Sequence, residues 1–184
     1  MALNDWFQKG MTYEQYVGQM KQNREEMLSI QERFSLRPED KERLETLREK
    51  GLRAIVLTED WCGDAMVNNP ILMKIAEAAG IEVRFLLRDE NLELMDQYLT
   101  NGKSRAIPIY IFLDREGKEY AVWGSRAPEV QRFVDEERAE LPPKDAPDFP
   151  EKQKAMYGKM REKFLRDEQV WRHIADSIIA RIRQ

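Results

Sequence analysis

The stretch Arg53-Ala54-Ile55-Val56-Leu57-Thr58-Glu59-Asp60-Trp61-Cys62-Gly63-Asp64-Ala65 carries the reading from which the rest of the chain is placed. Arg53 to Thr58 reads as a buried strand, and the segment from Cys62 to Ala79, closed by Gly80, reads as a helix. A strand that passes through a short loop into a helix sets the Cys62 sulfur near unpaired backbone N–H groups and the positive end of the helix dipole. That position favours thiolate over thiol. A free cysteine is also among the most buried residue types and often acts as a small hydrophobe, so position alone leaves both readings open.

Outward from this stretch, short apolar runs alternate with helical patterns, the signature of α/β organisation. Ile81 to Leu87 reads as a second strand and Asn91 to Thr100 as a helix stopped by Asn101-Gly102. Pro108 to Leu113 and Glu119 to Trp123, joined by Asp114-Arg115-Glu116-Gly117-Lys118, form a hairpin, and Pro128 to Glu140 follows as a helix. The order is strand, helix, strand, helix, strand, strand, helix.

The first 50 residues read as helical from Thr12-Tyr13-Glu14-Gln15, a capping box with Thr12 as N-cap. A second helix opens at Pro38 and stops at Gly51. Leu141 to Pro150 holds four prolines and reads as a stiff connector. Beyond it Met156, Met160, Phe164, Trp171, Ile174, Ile178 and Ile182 fall on one face of a long helix. That stripe must be covered, by the N-terminal helices, by a homodimer contact or by a membrane surface, the last disfavoured because Glu162, Asp167, Glu168 and Asp176 dilute the basic face. The organisation expected is a helical extension over 1–37, a domain over 38–140, a connector over 141–150 and an amphipathic helix over 151–184.

The composition narrows the function. With 184 residues, 42% of them hydrophobic, the chain supports one domain with a substantial core. Thirty Lys and Arg against 34 Asp and Glu give a formal net charge of −4, which argues against nucleic acid as a partner. The longest apolar stretch, Ala106 to Leu113, is far short of the ~20 residues that cross a bilayer, so no membrane partner is expected. Met1 to Trp6 lacks the charged and apolar segments of a secretory signal, and a lone cysteine persists most easily in a reducing compartment. A cytoplasmic location is the expectation.

Trp61-Cys62-Gly63 after an apolar strand, with Pro70 eight positions beyond the cysteine, resembles the thioredoxin superfamily. Pro108, in Arg105-Ala106-Ile107-Pro108-Ile109, resembles that family's cis-proline, and a hairpin and Gly124 follow in the family's order. The resemblance implies a thioredoxin-like fold, a central mixed four-stranded sheet flanked by helices, here with N- and C-terminal helical extensions. It further implies Cys62 as nucleophile, Trp61 as a flat surface beside it, and Ile107 and Pro108 as the substrate-binding backbone.

The chain departs from the family at Ala65, where a dithiol thioredoxin carries its second cysteine, and at Val56, where the family has a buried acid. The dithiol cycle is closed to it. Gly63, Asp60 and Asp64 are the loop residues expected to tune the thiol. Because negative groups oppose thiolate formation, Glu59, Asp60 and Asp64 are expected to make Cys62 less acidic than a dithiol thioredoxin's attacking cysteine. Asp64 is expected to serve the free N–H groups of the first helical turn. With one cysteine and one histidine, His173, no four-ligand Cys/His zinc site can form within the chain. No metal and no cofactor are expected.

The function expected is monothiol thiol-disulfide exchange through Cys62. Its partners would be protein disulfides or protein–small-thiol mixed disulfides, with a low-molecular-weight thiol to resolve the product. The alternative is a redox-inert binding or adaptor module that uses the groove around Trp61 and Pro108.

Overall fold

The computed structural model describes residues 1–184 and sets four helices before the first strand: α1 (Leu3–Lys9), α2 (Tyr13–Gln19), α3 (Arg24–Arg33) and α4 (Pro38–Glu45). Thr12 caps α2 as the sequence implies: its side chain accepts from Gln15 N, and the Gln15 side chain accepts from the Thr12 N–H. There follow β1 (Arg53–Thr58), α5 (Gly63–Ala79), β2 (Glu82–Leu87), α6 (Leu92–Met95), β3 (Ile109–Leu113), β4 (Glu119–Gly124), α7 (Pro128–Ala139), α8 (Phe149–Arg166) and α9 (Glu168–Ile182).

The sheet runs in the order β2-β1-β3-β4, with β1 and β2 parallel and the other pairs antiparallel. The parallel pair needs a crossover, which α5 supplies, while β3 and β4 are joined by a tight turn. In that turn Asp114 accepts from the N–H groups of Glu116 and Lys118, and Gly117 takes a φ of +82°. Alternation along the strands sends side chains to opposite faces. Val56, Tyr110 and Phe112 enter a cluster of 37 buried residues on one face, and Ile55, Leu57, Ile109 and Ile111 enter one of 13 on the other. Cys62 belongs to the smaller cluster, with Trp6 and Phe7 of α1 and Leu94 and Met95 of α6.

Several elements differ from the sequence reading. Helix begins at Leu3, ahead of Thr12, because Trp6 and Phe7 are drawn under the sheet. The helix expected over Asn91 to Thr100 is a single turn, Leu92–Met95, and Asn101 and Gly102 beyond it both take positive φ. Pro150 lies inside the first turn of α8 and not in the connector, a place where its missing N–H costs nothing. The long C-terminal helix is two helices that meet at Asp167, which ends α8 and caps α9 by accepting from Gln169 N. The apolar stripe from Met156 to Ile182 is buried within the chain, chiefly against α5, β4 and α7; of the N-terminal helices, α3 contributes Arg33, whose guanidinium lies 4.9 Å from the Trp171 ring. No helix is long and apolar enough to cross a membrane.

Candidate functional site

Cys62 stands where β1 has ended and α5 begins, and it is the N-cap of that helix. Its Sγ accepts the Ala65 N–H at 3.4 Å and faces the Ile107 carbonyl oxygen at 3.6 Å, to which the thiol can donate. The cysteine is only 8% exposed, so ionising it means placing charge in a largely dry site. Burial is the main force that pushes its pKa up to about 11, and the Asp64 carboxylate adds to it. The backbone N–H groups of Ala65 and Asp64 and the Arg126 guanidinium pull the other way and do not prevail. The bond to Ile107 also belongs to the neutral thiol, because a thiolate cannot donate.

The three acids near the thiol do not act together. Asp89 N donates to the Glu59 carboxylate, whose pKa is raised mainly by its own burial. Asp60 accepts from Lys21 N through its carboxylate and from the Asn23 side chain through its carbonyl, which ties the loop to the segment between α2 and α3. Asp64 is the acid that bears on the sulfur. It does not serve the first-turn N–H groups, because the Cys62 sulfur already accepts the Ala65 N–H. Its carboxylate instead takes a two-pronged bond from Arg126 Nε and a terminal nitrogen, each at 2.8 Å. These side chains are 15% and 14% exposed, a setting in which such paired bonds are stronger than at an open surface.

Arg126 was not legible as a site residue, since it lies 64 positions from Cys62 in sequence and sits between β4 and α7. Its neighbour Gly124 has φ of +155°, and a Cβ built there would lie 2.5 Å from the Pro108 carbonyl oxygen. Glycine is required because two backbones approach here. The Ile107–Pro108 and Gly124–Ser125 peptide bonds are both cis. Trp61 is 47% exposed, and the Arg88 guanidinium lies 5.0 Å from its ring, within cation–π range. Gly63 meets nothing: a Cβ there would have no neighbour within 4 Å.

Behind the strand runs a buried polar chain that sequence reading did not find. Tyr110 OH donates to Asn69 Oδ1 at 2.7 Å, Asn69 Nδ2 donates to Thr58 Oγ1 at 3.1 Å, and Thr58 exchanges a bond with the Tyr16 hydroxyl at 3.2 Å. Val56 pairs with Tyr110 across the sheet, so tyrosine hydroxyls, not a carboxyl, supply the titratable groups near the thiol on this side. Burial raises both: Tyr16 to about 12 and Tyr110 well above its usual range.

Trp61, Cys62, Asp64, Ile107, Ser125 and Arg126 all line one groove of about 830 Å³. His173 lies elsewhere, 3.8 Å from Glu129 and 3.2 Å from Gln169, so it forms no pair with Cys62. Arg105 is an exposed surface arginine that makes two bonds to Asp96, at 2.8 and 3.1 Å. No cluster of three or more His, Cys, Asp or Glu side chains is placed to hold a metal ion.

The profile of the thioredoxin family matches residues 10–139, which is more than half of the chain. The chain belongs to the thioredoxin family. Two solved structures share its fold over almost the whole length. A protein of unknown function from Pseudomonas aeruginosa superposes with a TM-score of 0.65 at 18% identity, covering 98% of each chain. An HIV epitope-scaffold gives 0.65 at 19% identity, covering 98% of this chain and 96% of that one. No curated protein matches the chain. Because the superpositions extend over 98% of the chain, they include the helices that flank the thioredoxin-family match.

Proposed function

We propose that this thioredoxin-family protein performs monothiol thiol-disulfide exchange through Cys62, and that its partners are protein disulfides or mixed disulfides between a protein and a small thiol. The observation that carries the reading is the sulfur's position: it caps α5 at 3.4 Å from Ala65 N and borders an open groove. In this scheme the Cys62 thiolate attacks one sulfur of the substrate disulfide. The bond between the two substrate sulfurs breaks, and the departing thiolate takes a proton from water. Cys62 is left in a mixed disulfide, which an external low-molecular-weight thiol breaks by attacking the retained sulfur. Cys62 returns as thiolate, and the two electrons come from that external thiol. Trp61 offers a flat wall for the substrate, and Ile107, which precedes Pro108 through a cis bond, offers its backbone carbonyl beside the sulfur. The scheme needs no bound cofactor and suits a reducing compartment such as the cytoplasm.

A thiol whose pKa lies near 11 is mostly protonated at neutral pH, so exchange is slow there and speeds up as pH rises. This observation favours a second reading, a redox-inert module that holds a partner in the groove. Trapping with an activated disulfide, followed by release with a small thiol, separates the two. Exchange predicts stoichiometric labelling of Cys62 that quickens with pH, and release faster than from a denatured peptide that contains Cys62. Labelling and release no faster than in the denatured peptide would leave the binding module.

A further inference from the structure

The groove at Cys62 has a net positive lining in a chain whose formal net charge is negative. Arg88, Arg105, Arg126 and Arg138 line it against Asp64 and Asp135, with no lysine and no glutamate, while the whole chain carries a formal net charge of −4. Two of these arginines are already satisfied: Arg126 by Asp64, and Arg105 by Asp96 outside the groove. Arg88 spends Nε on Asp89 and one terminal nitrogen on the Arg105 carbonyl, leaving the other terminal nitrogen free. Arg138 has neither an ion pair nor a side-chain hydrogen bond, because Asp135 on the same helix accepts instead from Gln131. The Ser125 hydroxyl, in the same wall, also lacks a partner.

The spacing along α7 bears on the size of what such a groove accepts. Gln131, Asp135 and Arg138 follow one face of α7, and Gln131 touches Arg126, which is bonded to Asp64 beside the sulfur. At about 1.5 Å per residue, Arg138 stands roughly 10 Å farther along the helix than Gln131. Three extended residues span about the same length. A volume near 830 Å³ also lies in the range of small-molecule sites.

Resting on the exchange reading, we propose that the groove holds the small-thiol half of a mixed disulfide: a thiol of about tripeptide size whose carboxylates lie against Arg138 and Arg88. Cys62 thiolate attacks the sulfur of that half, the bond to the target protein breaks, and the protein thiolate leaves and is protonated. A second molecule of the small thiol then attacks the same sulfur, yielding the small-thiol disulfide and free Cys62. One substrate disulfide and one reducing thiol give one product disulfide and one protein thiol.

The test is calorimetric titration of the full Cys62→Ser chain with S-methylglutathione, which carries carboxylates and cannot react, and with its dimethyl ester. The acid is expected to bind and the ester to bind more weakly. Arg138→Gln should weaken the acid roughly fivefold, the size of one partly exposed charge pair. Arg132→Gln, which lines a different crevice, should change nothing. Equal binding of acid and ester, no binding of either, or indifference to Arg138→Gln overturns the proposal. Labelling of the unaltered chain by 2-hydroxyethyl disulfide, a neutral reagent, tests the exchange reading separately. Binding of S-methylglutathione without such labelling would overturn the claim that the ligand arrives as a mixed disulfide.

Discussion

At the scale of the residue, Cys62 is governed by its two nearest charges and by burial. Asp64 raises its pKa and Arg126 lowers it, and each holds the other in place. Asp64→Asn should therefore speed alkylation of Cys62 at pH 8 by up to about tenfold, the effect of one pKa unit on the thiolate fraction. Arg126→Gln should slow it, because the Asp64 carboxylate is left unneutralised beside the sulfur. Pseudo-first-order labelling with iodoacetamide reads both, and equal rates in the two variants would refute the assignment. The same burial ties stability to pH. The folded thiol titrates near 11, above its ordinary 9.0, so the folded state binds the extra proton. Stability from this source is complete below pH 9 and is lost as pH rises through 11. Integrated over two units it amounts to roughly 2–3 kcal/mol. Urea unfolding at pH 8 and at pH 10.5 should show the unaltered chain losing more stability than Cys62→Ala.

At the scale of the element, the site depends on turns that bring distant backbones together. The two glycines near the sulfur differ in what they do. Gly124 has no room for a Cβ, which would meet the Pro108 carbonyl oxygen at 2.5 Å in a backbone region that favours glycine. Gly124→Ala should cost about 1–3 kcal/mol, because backbone must move to admit the methyl group. Gly63 opens α5 in free space, so Gly63→Ala should leave stability unchanged or raise it by up to ~1 kcal/mol. Thermal unfolding of both variants checks the contrast. A further expectation concerns the buried polar chain: Tyr110→Phe leaves Asn69 Oδ1 without its donor and should cost about 1–3 kcal/mol by urea unfolding.

At the scale of the whole molecule, the helices before and after the sheet share one core with it. Tyr16, Met27 and Ile30 from the first part and Phe164, Trp171 and Ile178 from the last lie in the same 37-residue cluster as Val56 and Tyr110. Ile178→Ala, a substitution in α9 outside the groove, should cost about 2–5 kcal/mol through the cavity it leaves. Tryptophan fluorescence and far-ultraviolet circular dichroism should then report one shared transition at lower denaturant. Two separated transitions would show instead that the C-terminal helices melt on their own.

The sequence by itself determined the parts whose signals are local. The apolar run at Ala54 to Leu57, the cap at Thr12, the glycine stop at Gly80 and the hairpin at Asp114 to Lys118 each act over a few residues, so short-range physics shows in the letters. The loop with one cysteine and the absence of a second sulfur at Ala65 were legible for the same reason, whereas the mixed sheet was expected only through the resemblance to the thioredoxin superfamily. The single turn at Leu92–Met95 and the break at Asp167 were not, because side-chain caps and packing override helical periodicity at such places. Only the tertiary structure decided the charges at the thiol. Glu59, Asp60 and Asp64 look alike in sequence, yet Asp64 alone of the three acts on the sulfur, and its partner Arg126 comes from the far side of the sheet. The arginines of the groove come from β2's end, the loop before Pro108, the turn between β4 and α7, and α7 itself. Charge and burial act through space, and along the chain these groups have nothing to connect them until the fold brings them together.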